Sequence, residues 1–426
     1  MLAPLVAQGA IVRRRHVGAL VDRVDAQDRA LGVLADLAER YDRRPVAVNL
    51  GNRRMILPLH HADGRSLLDA SPDPISPASS EKVAALRHFQ PRGVLISPLD
   101  ARPALRGWNV EALEPGRPLH SAAGGVVPAL HEDAAALVRL ALVRGEVGFA
   151  DLDQALWSVL LAVTFGPAAR YDTALVADLD ALRHRANWAF AAPRSRALRT
   201  RFTERVLEHV RRAPADSIAG AAVRRGGDPV LAATQVPHWL FAFDAARIAL
   251  WRALAVLAAR GTRQDDVRRE AREAAAAGGL QVLPLARASV LEDLRLWPTT
   301  LVLLRETVAP TVWGGTVVPP GQGIALVSSW FHRDPALRPL ADAYAPERWT
   351  GTEWTATGPD GWLVVPFSAG PVVCPGRDVV LMTVSTLLSE MVRQVRWGPV
   401  THPDLALDPL PASLAHTAVR LRADAA

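Results

Sequence analysis

The sequence predicts a mainly helical protein with small β-sheets, and we expect residues 1–426 to form a single domain. Two observations lead to this fold class. Apolar residues recur with helical spacing through most of the chain, whereas patterns typical of strands are few and short. In addition, no Gly/Ser-rich linker, charged block or internal repeat divides a chain that is 50% hydrophobic, so one large core can form.

The predicted helices are spread along the whole chain. The first covers 17–40, where apolar residues fall on one side, and the second starts at Pro103, because proline is favoured in the first turn of a helix. Further helices are predicted at 134–144, 152–164, 175–191, 196–211, 230–259, 282–297 and 378–392. The longest of them, 230–259, follows an Asp-Pro pair that is typical of a helix start.

Short strands are predicted at 46–50 and 55–57, on either side of a Gly-Asn pair that favours a tight turn. Two later segments, 308–318 and 323–328, are also rich in strand-forming residues. The Pro- and Ser-rich stretch 71–80 is interpreted in two ways, as a surface loop or as an element at the entrance of a ligand pocket.

Composition restricts the classes of partner. The chain has 49 basic and 43 acidic residues, a net charge of +6, and Lys82 is its only lysine. The arginine excess reflects either codon bias or a basic patch for an acidic partner. Nucleic-acid binding is not predicted, because the cations are intermixed with acids. The apolar stretch 1–12 is too short to span a membrane and precedes three arginines, so we expect a soluble, cytoplasmic protein, and a monomer.

Cys374, the only cysteine, is the strongest chemical signal in the sequence. A single cysteine forms no internal disulfide and no Cys-rich zinc site. Gly370 and Gly376 flank it, and the predicted helix 378–392 follows, so the sulfur lies just before a helix N-terminus, where the dipole and free amides favour a thiolate. A thiolate beside an open glycine wall suits axial ligation of heme iron.

The spacing Phe367-x-x-Gly370-x-x-x-Cys374-x-Gly376 resembles the heme-binding loop of the cytochromes P-450. The resemblance implies a single triangular, helix-rich domain that binds heme b, with Cys374 as the iron ligand and Phe367, Gly370 and Gly376 as further heme-binding residues. One departure is Val372, because many relatives carry Arg or His there to pair with a heme propionate. That propionate must therefore find its cation elsewhere.

Three arginines are candidates for the propionates on the same resemblance. Arg305 precedes the strand-rich segment 308–318 and is the best of them. Arg106 matches the cation of a helix that crosses the heme edge in the family, and Arg102 replaces an aromatic residue or histidine four positions earlier. The alternative for this last pair is two solvated arginines on one helix face.

The helix 230–259 resembles the central helix that crosses the distal face of the heme in this family. There the family has an acid followed by threonine, and this chain has Asp244 followed by Ala245. The acid is kept and the hydroxyl is lost. We expect Phe241 or Phe243 to pack over the pocket. The alternative for Asp244 is a helix residue that only pairs with a neighbouring arginine, such as Arg247.

Glu292 and Arg295 are three residues apart on a predicted helix, which alone is a common spacing. The order of the residues that follow matches the family, and Arg348 then completes the family's buried Glu-Arg-Arg triad. We assign Glu292, Arg295 and Arg348 to that structural triad.

The resemblance implies a bacterial-type heme-thiolate monooxygenase, an oxidoreductase that oxidises an apolar small molecule, as in bacterial specialised metabolism, using O2 and electrons from a separate ferredoxin system. Loss of the hydroxyl at Ala245 suggests an alternative, a peroxide-driven peroxygenase or peroxidase. A third alternative is a noncatalytic heme protein that senses a ligand.

Overall fold

The structure is a computed structural model that describes residues 26–50, 53–189, 191–225, 227–313, 315–337, 340–350 and 361–425. Most of these residues are helical. The helices are α1 Ala26–Arg40, α2 His61–Asp69, α3 Ser80–Leu86, α4 Arg102–Leu113, α5 Ala123–Arg144, α6 Phe149–Phe165, α7 Thr173–Ala186, α8 Arg196–Arg212, α9 Ile218–Arg224, α10 Pro229–Ala259, α11 Gly261–Ala277, α12 Pro284–Leu296, α13 Ser328–His332 and α14 Arg377–Gln394. Among the helices in these ranges, none is long and apolar enough to cross a membrane.

The strands form three small sheets. They are β1 Val46–Leu50, β2 Arg53–Leu57, β3 Ile75–Ser76, β4 Glu146–Gly148, β5 Val302–Thr307, β6 Thr311–Trp313, β7 Thr316–Val318, β8 Gly323–Val327, β9 Val395–Pro399 and β10 Arg420–Ala425. The largest sheet has the order β1-β2-β8-β5-β3, the second has β4-β10-β9, and β6 pairs with β7. A mainly helical fold with small sheets, as the sequence predicts, is confirmed.

Two apolar clusters hold the fold together and place the cysteine loop between them. The larger cluster lies among the helices and includes side chains of α10, α12 and α14. The smaller one lies where α1 packs against the five-stranded sheet, and it continues to Ala369. Because Val379 on α14 belongs to the larger cluster, the segment from Ala369 to Val379 is fixed at both ends by buried apolar contacts.

The structure corrects several element boundaries. The helix predicted at 134–144 begins eleven residues earlier, at Ala123, and tolerates Pro128 in its second turn, where few backbone bonds are lost. The stretch 71–80 is not a simple loop, because Ile75 pairs with Thr307 at the edge of the largest sheet. The segment 308–318 is a hairpin of β6 and β7. Residues 17–25 of the first predicted helix and the predicted turn at 51–52 lie outside the described residues.

Candidate heme site

The backbone around Cys374 is held in one conformation. The Cys374 amide donates to the Phe367 carbonyl at 2.9 Å, which closes the loop before α14. Gly370 has φ of +67°, and a Cβ there would lie 2.3 Å from the Leu68 carbonyl oxygen on α2. Glycine is therefore required at this position by packing against α2, in addition to any approach to a ligand. At Gly376 such a Cβ would lie 3.8 Å from Leu113 Cδ1 and 3.9 Å from the Cys374 sulfur, which is ordinary van der Waals contact, so the open wall expected beside the sulfur is not found there.

In the metal-free chain, burial favours the neutral thiol form of Cys374 over the thiolate. Burial raises the pKa of the Cys374 thiol, and this outweighs the Gly376 amide and the Arg106 guanidinium, which both act to lower that pKa. The Gly376 amide thus acts in the direction expected of a helix N-terminus, toward the thiolate, but burial opposes it more strongly. A bound metal ion deprotonates a coordinating thiol, so the position is suited to a thiolate only when a metal is present. Within the described ranges, no group of three or more His, Cys, Asp or Glu residues could hold a metal ion.

The three predicted arginines separate into two positions. Arg106, on α4, donates to the Val373 carbonyl at 2.7 Å and so supports the cysteine loop directly. Arg102 is buried one turn earlier and donates to the Val94 carbonyl at 2.7 Å. Arg305 is buried in β5 and donates to the Leu304 carbonyl at 3.0 Å and to the Ser368 hydroxyl at 3.1 Å. Ser368 belongs to the cysteine loop, which places Arg305 beside that loop.

Lys82 joins Arg102 and Arg305 in a buried cluster of positive charge, which we call the cation cluster. Burial, together with the charge of its arginine neighbours, lowers the pKa of Arg102 and of Arg305 to about 10 and lowers that of Lys82 well below its usual value. None of the three forms an ion pair with a carboxylate among the described residues, and the Arg305 Nε has no hydrogen-bond partner there. A buried positive cluster without an anion is costly, and the two carboxylates of heme b would neutralise it.

Sequence reasoning missed Lys82. The signal that could have found it is its uniqueness, because a single lysine stands among 49 basic residues. The cation cluster, together with Cys374, gives the set of charges and the iron ligand that heme b requires. The described residues therefore fit this cofactor.

One face of α10 is partly exposed although the rest of the helix is buried. The partly exposed residues recur with helical spacing, at Thr234, His238, Phe241, Ala242 and Ala245. The Phe241 ring lies 5.5 Å from the Phe89 ring, centroid to centroid. Phe243 is buried in the helical core instead, so Phe241 is the one that reaches this face. At the end of this face, Ala245 contributes only a methyl group.

Asp244 lies beside this face, and its carboxylate is engaged by two arginines. One oxygen accepts from Arg247 at 2.5 Å, and the other accepts from Arg183 on α7. Asp244 is only 4% exposed. The pair with Arg247 is the one that the alternative interpretation named. Because both oxygens accept hydrogen bonds from guanidinium groups, the arrangement favours a carboxylate that stays ionised.

The predicted triad is brought together between α12 and the segment 345–349. Glu292 accepts from Arg295 at 2.7 and 2.9 Å and from Arg348 at 3.4 Å, and neither Glu292 nor Arg295 has any exposed surface. The same carboxylate also accepts from the Ala345 amide and the Trp349 indole, each at 2.9 Å. It therefore joins α12 to the segment 345–349.

The sequence and the fold were compared with known proteins. The sequence model of the cytochrome P-450 family matches residues 242–417. Cyclooctat-9-en-7-ol 5-monooxygenase of Streptomyces melanosporofaciens is 33% identical over 121 residues, which are 28% of this chain and 26% of that protein. Drimenol monooxygenase of Persicaria hydropiper is 30% identical over 117 residues, which are 27% of this chain and 23% of that protein. The chain thus spans about a quarter of the length of these curated relatives.

A solved structure matches over nearly the whole chain. It is the retinoic acid-bound cyanobacterial CYP120A1, with a TM-score of 0.70 and 16% sequence identity, and the match covers 90% of this chain and 92% of that one. At this identity the match shows the fold alone. Together with the match of residues 242–417 to the family model, it defines the class of protein that this chain resembles: the chain has the cytochrome P-450 fold, and its segment around the cysteine loop is similar in sequence to that family.

Proposed function

We propose that this protein is a heme-thiolate monooxygenase that binds heme b through Cys374 and oxidises an apolar small molecule. The observation that carries the proposal is the placement of Cys374 in a closed loop, with the buried cation Arg305 bonded to Ser368 of the same loop. Heme b would supply the activation of dioxygen and the oxidation of the substrate. The matched relatives named as monooxygenases support the same reaction class.

The protein's own residues have separable roles in this proposal. Cys374 is the metal ligand, and Arg106 holds the carbonyl beside it. Phe367 fixes the loop through its carbonyl, Gly370 gives the loop its turn, and Gly376 lies against the Cys374 sulfur. Arg102 and Arg305 would bind the heme carboxylates, as charge-assisted hydrogen bonds to carboxylates are among the strongest in proteins.

In this proposal, the partly exposed face of α10 lines the substrate site. Phe241 and Ala242 present apolar surface, which favours an apolar substrate and excludes water. Ala245 has no hydroxyl with which to hold a proton-donating water, and Asp244 has both oxygens engaged by arginines. We therefore propose that a hydroxyl or amine of the substrate completes the path by which protons reach the reacting oxygen.

Electrons would come from a separate ferredoxin system, in a soluble, cytoplasmic protein that acts as a monomer in bacterial specialised metabolism. An iron–sulfur cluster is usually held by four cysteines, and residues 1–426 contain one, which supports an electron donor outside these residues. The net charge of +6 suits an acidic donor.

A peroxide-driven peroxygenase is the second candidate, and the missing hydroxyl at Ala245 favours it. The two candidates are separated by turnover. A small-molecule library is first screened for compounds that shift the heme absorbance band by displacing bound water, and the hits are tested with a ferredoxin and its reductase or with hydrogen peroxide. Product with the reductase system supports the monooxygenase, and product with peroxide alone supports the peroxygenase. Ligand binding without product under either condition contradicts both and leaves a ligand sensor.

A further inference from the structure

Lys82 is buried although nothing in its own helix requires a charge there. It lies in the first turn of α3, after the cap residue Ser79, and its side chain is directed toward β5. The ammonium donates to the Leu304 carbonyl at 2.8 Å and to the Pro77 carbonyl at 3.2 Å. A lysine ammonium has three N–H donors, so contacts with the residues that the structure describes use two and leave one.

The charges around Lys82 are mostly of its own sign. Arg305 and Arg102 act on Lys82 to lower its pKa, and they do so in addition to burial, which is the larger cause. Lys82 in turn helps to lower the pKa of His238 on α10 to about 4, again after burial. Glu81 is the only nearby acid among the described residues that acts in the opposite direction, and it forms an ion pair with Arg53 at 2.6 Å.

A buried positive charge on Lys82 is favourable only when an anion lies against it. Val372 is neutral and cannot bind a heme carboxylate, and Arg106 already donates to the Val373 carbonyl. Leu304 connects the remaining cations, since its carbonyl accepts from both Lys82 and Arg305. The two side chains therefore meet at the same carbonyl oxygen.

We propose that Lys82 binds a carboxylate of heme b through its third N–H and supplies the charge that is missing at Val372. This inference rests on the heme-binding part of the proposed function. A lysine suits the position better than an arginine, because its compact ammonium satisfies two carbonyls and one carboxylate, whereas a guanidinium brings five donors in a planar fork.

The test compares Lys82→Met with the parent, using the holoprotein. Each protein is loaded with ferric protoporphyrin IX or with its dimethyl ester, which has the same ring and no carboxylates, and a thiolate-type spectrum is first confirmed in each case. The measurement is the rate at which the porphyrin transfers to an excess of apomyoglobin. Lys82→Met is expected to release protoporphyrin IX about 10- to 100-fold faster than the parent, and the ester at an unchanged rate.

Arg252→Met is the matched control, because Arg252 is another buried cation on α10 that donates to the Trp297 carbonyl at 2.6 Å and is not part of the cation cluster. Arg252→Met should change the release rates of protoporphyrin IX and of its dimethyl ester by the same factor. Equal acceleration of both by Lys82→Met would show a structural role only and overturn the proposal, as would no acceleration of either.

A second measurement needs no variant and remains informative if Lys82→Met does not fold. Because Lys82 is the only lysine, protein grown with 13C-labelled lysine gives one side-chain signal. Its titration is followed with bound zinc protoporphyrin IX and with the zinc dimethyl ester, both diamagnetic. The midpoint is expected to be at least one pH unit higher with the free acid, because a carboxylate stabilises the ammonium. Equal midpoints would contradict the proposal. If neither porphyrin binds, or no thiolate-type spectrum is obtained, the proposed function fails, which is a different outcome.

Discussion

Removal of the Glu292 carboxylate should destabilise this protein more than any surface change. Glu292 and Arg295 are fully buried, and although burial alone would raise the pKa of Glu292, Arg295 and Arg348 hold it below its usual value. In Glu292→Ala, the two hydrogen bonds from Arg295 and one from Arg348 lose their acceptor, and a buried guanidinium keeps only carbonyl partners. Breaking a buried ion pair in this way costs about 3–5 kcal/mol.

That cost is a large share of a total stability of about 5–15 kcal/mol, so we expect little heme-loaded soluble protein. Glu292→Gln keeps the acceptor oxygen and loses the charge, and it should fall between the parent and Glu292→Ala. The assay is urea unfolding followed by circular dichroism, with the heme content of purified protein as a second readout. Glu208→Ala is the control: Glu208 is 56% exposed and pairs with Arg212 one turn away, so it should change the free energy of unfolding by about 0.5 kcal/mol or less. Parental stability and heme content in Glu292→Ala would refute the reasoning.

Two further predictions concern a buried histidine and the distal helix. His332 is fully buried, its Nδ1 donates to the Arg295 carbonyl at 3.0 Å, and its Nε2 accepts from the Val365 amide at 2.8 Å. This pattern is that of a neutral imidazole, and burial lowers the pKa of His332 to about 3. In the unfolded chain this histidine takes up a proton near pH 6.5, so the free energy of unfolding should fall by about 1.4 kcal/mol per pH unit as the pH drops from 6.5 to 5. Measured by urea unfolding, His332→Gln should lack this dependence on pH. The same pH dependence in His332→Gln and the parent would contradict the assignment. Ala245→Thr should raise the product formed per reduced cofactor consumed with substrates that lack a hydroxyl or amine, by up to about 10²-fold, and should help substrates that carry one very little. Equal, high coupling of the parent with both kinds of substrate would remove the proposed role of the substrate hydroxyl.

The long, strongly patterned elements were predictable from sequence. The predicted helices 230–259 and 378–392 correspond to Pro229–Ala259 and Arg377–Gln394, because each has a clear start signal and a long buried apolar face. The partners of Glu292 were also predictable, since residue order in a known family fixes them. Periodicity alone could not have done this, because Arg348 is 56 residues away from Glu292.

The parts that sequence reasoning missed depend on distant packing. Ile75 becomes a strand only because Thr307 lies beside it, and the stretch around it carries turn-forming residues that hide the pairing. Gly370 was expected to allow approach to a ligand, but the crowding comes from the Leu68 carbonyl. Lys82 was missed for a similar reason. One lysine in a helix start has no pattern, and its meaning comes from β5, where its acceptor Leu304 lies 222 positions later in the chain.

The absorbance spectrum of the reduced protein with carbon monoxide tests the central claim most directly. Binding of heme iron by the Cys374 sulfur predicts a Soret band shifted strongly to the red, as is typical of thiolate ligation. Cys374→His, measured under the same conditions, should move the band back toward that of a histidine-ligated globin. A globin-like spectrum from the parent protein would contradict thiolate ligation and the function that we propose from it.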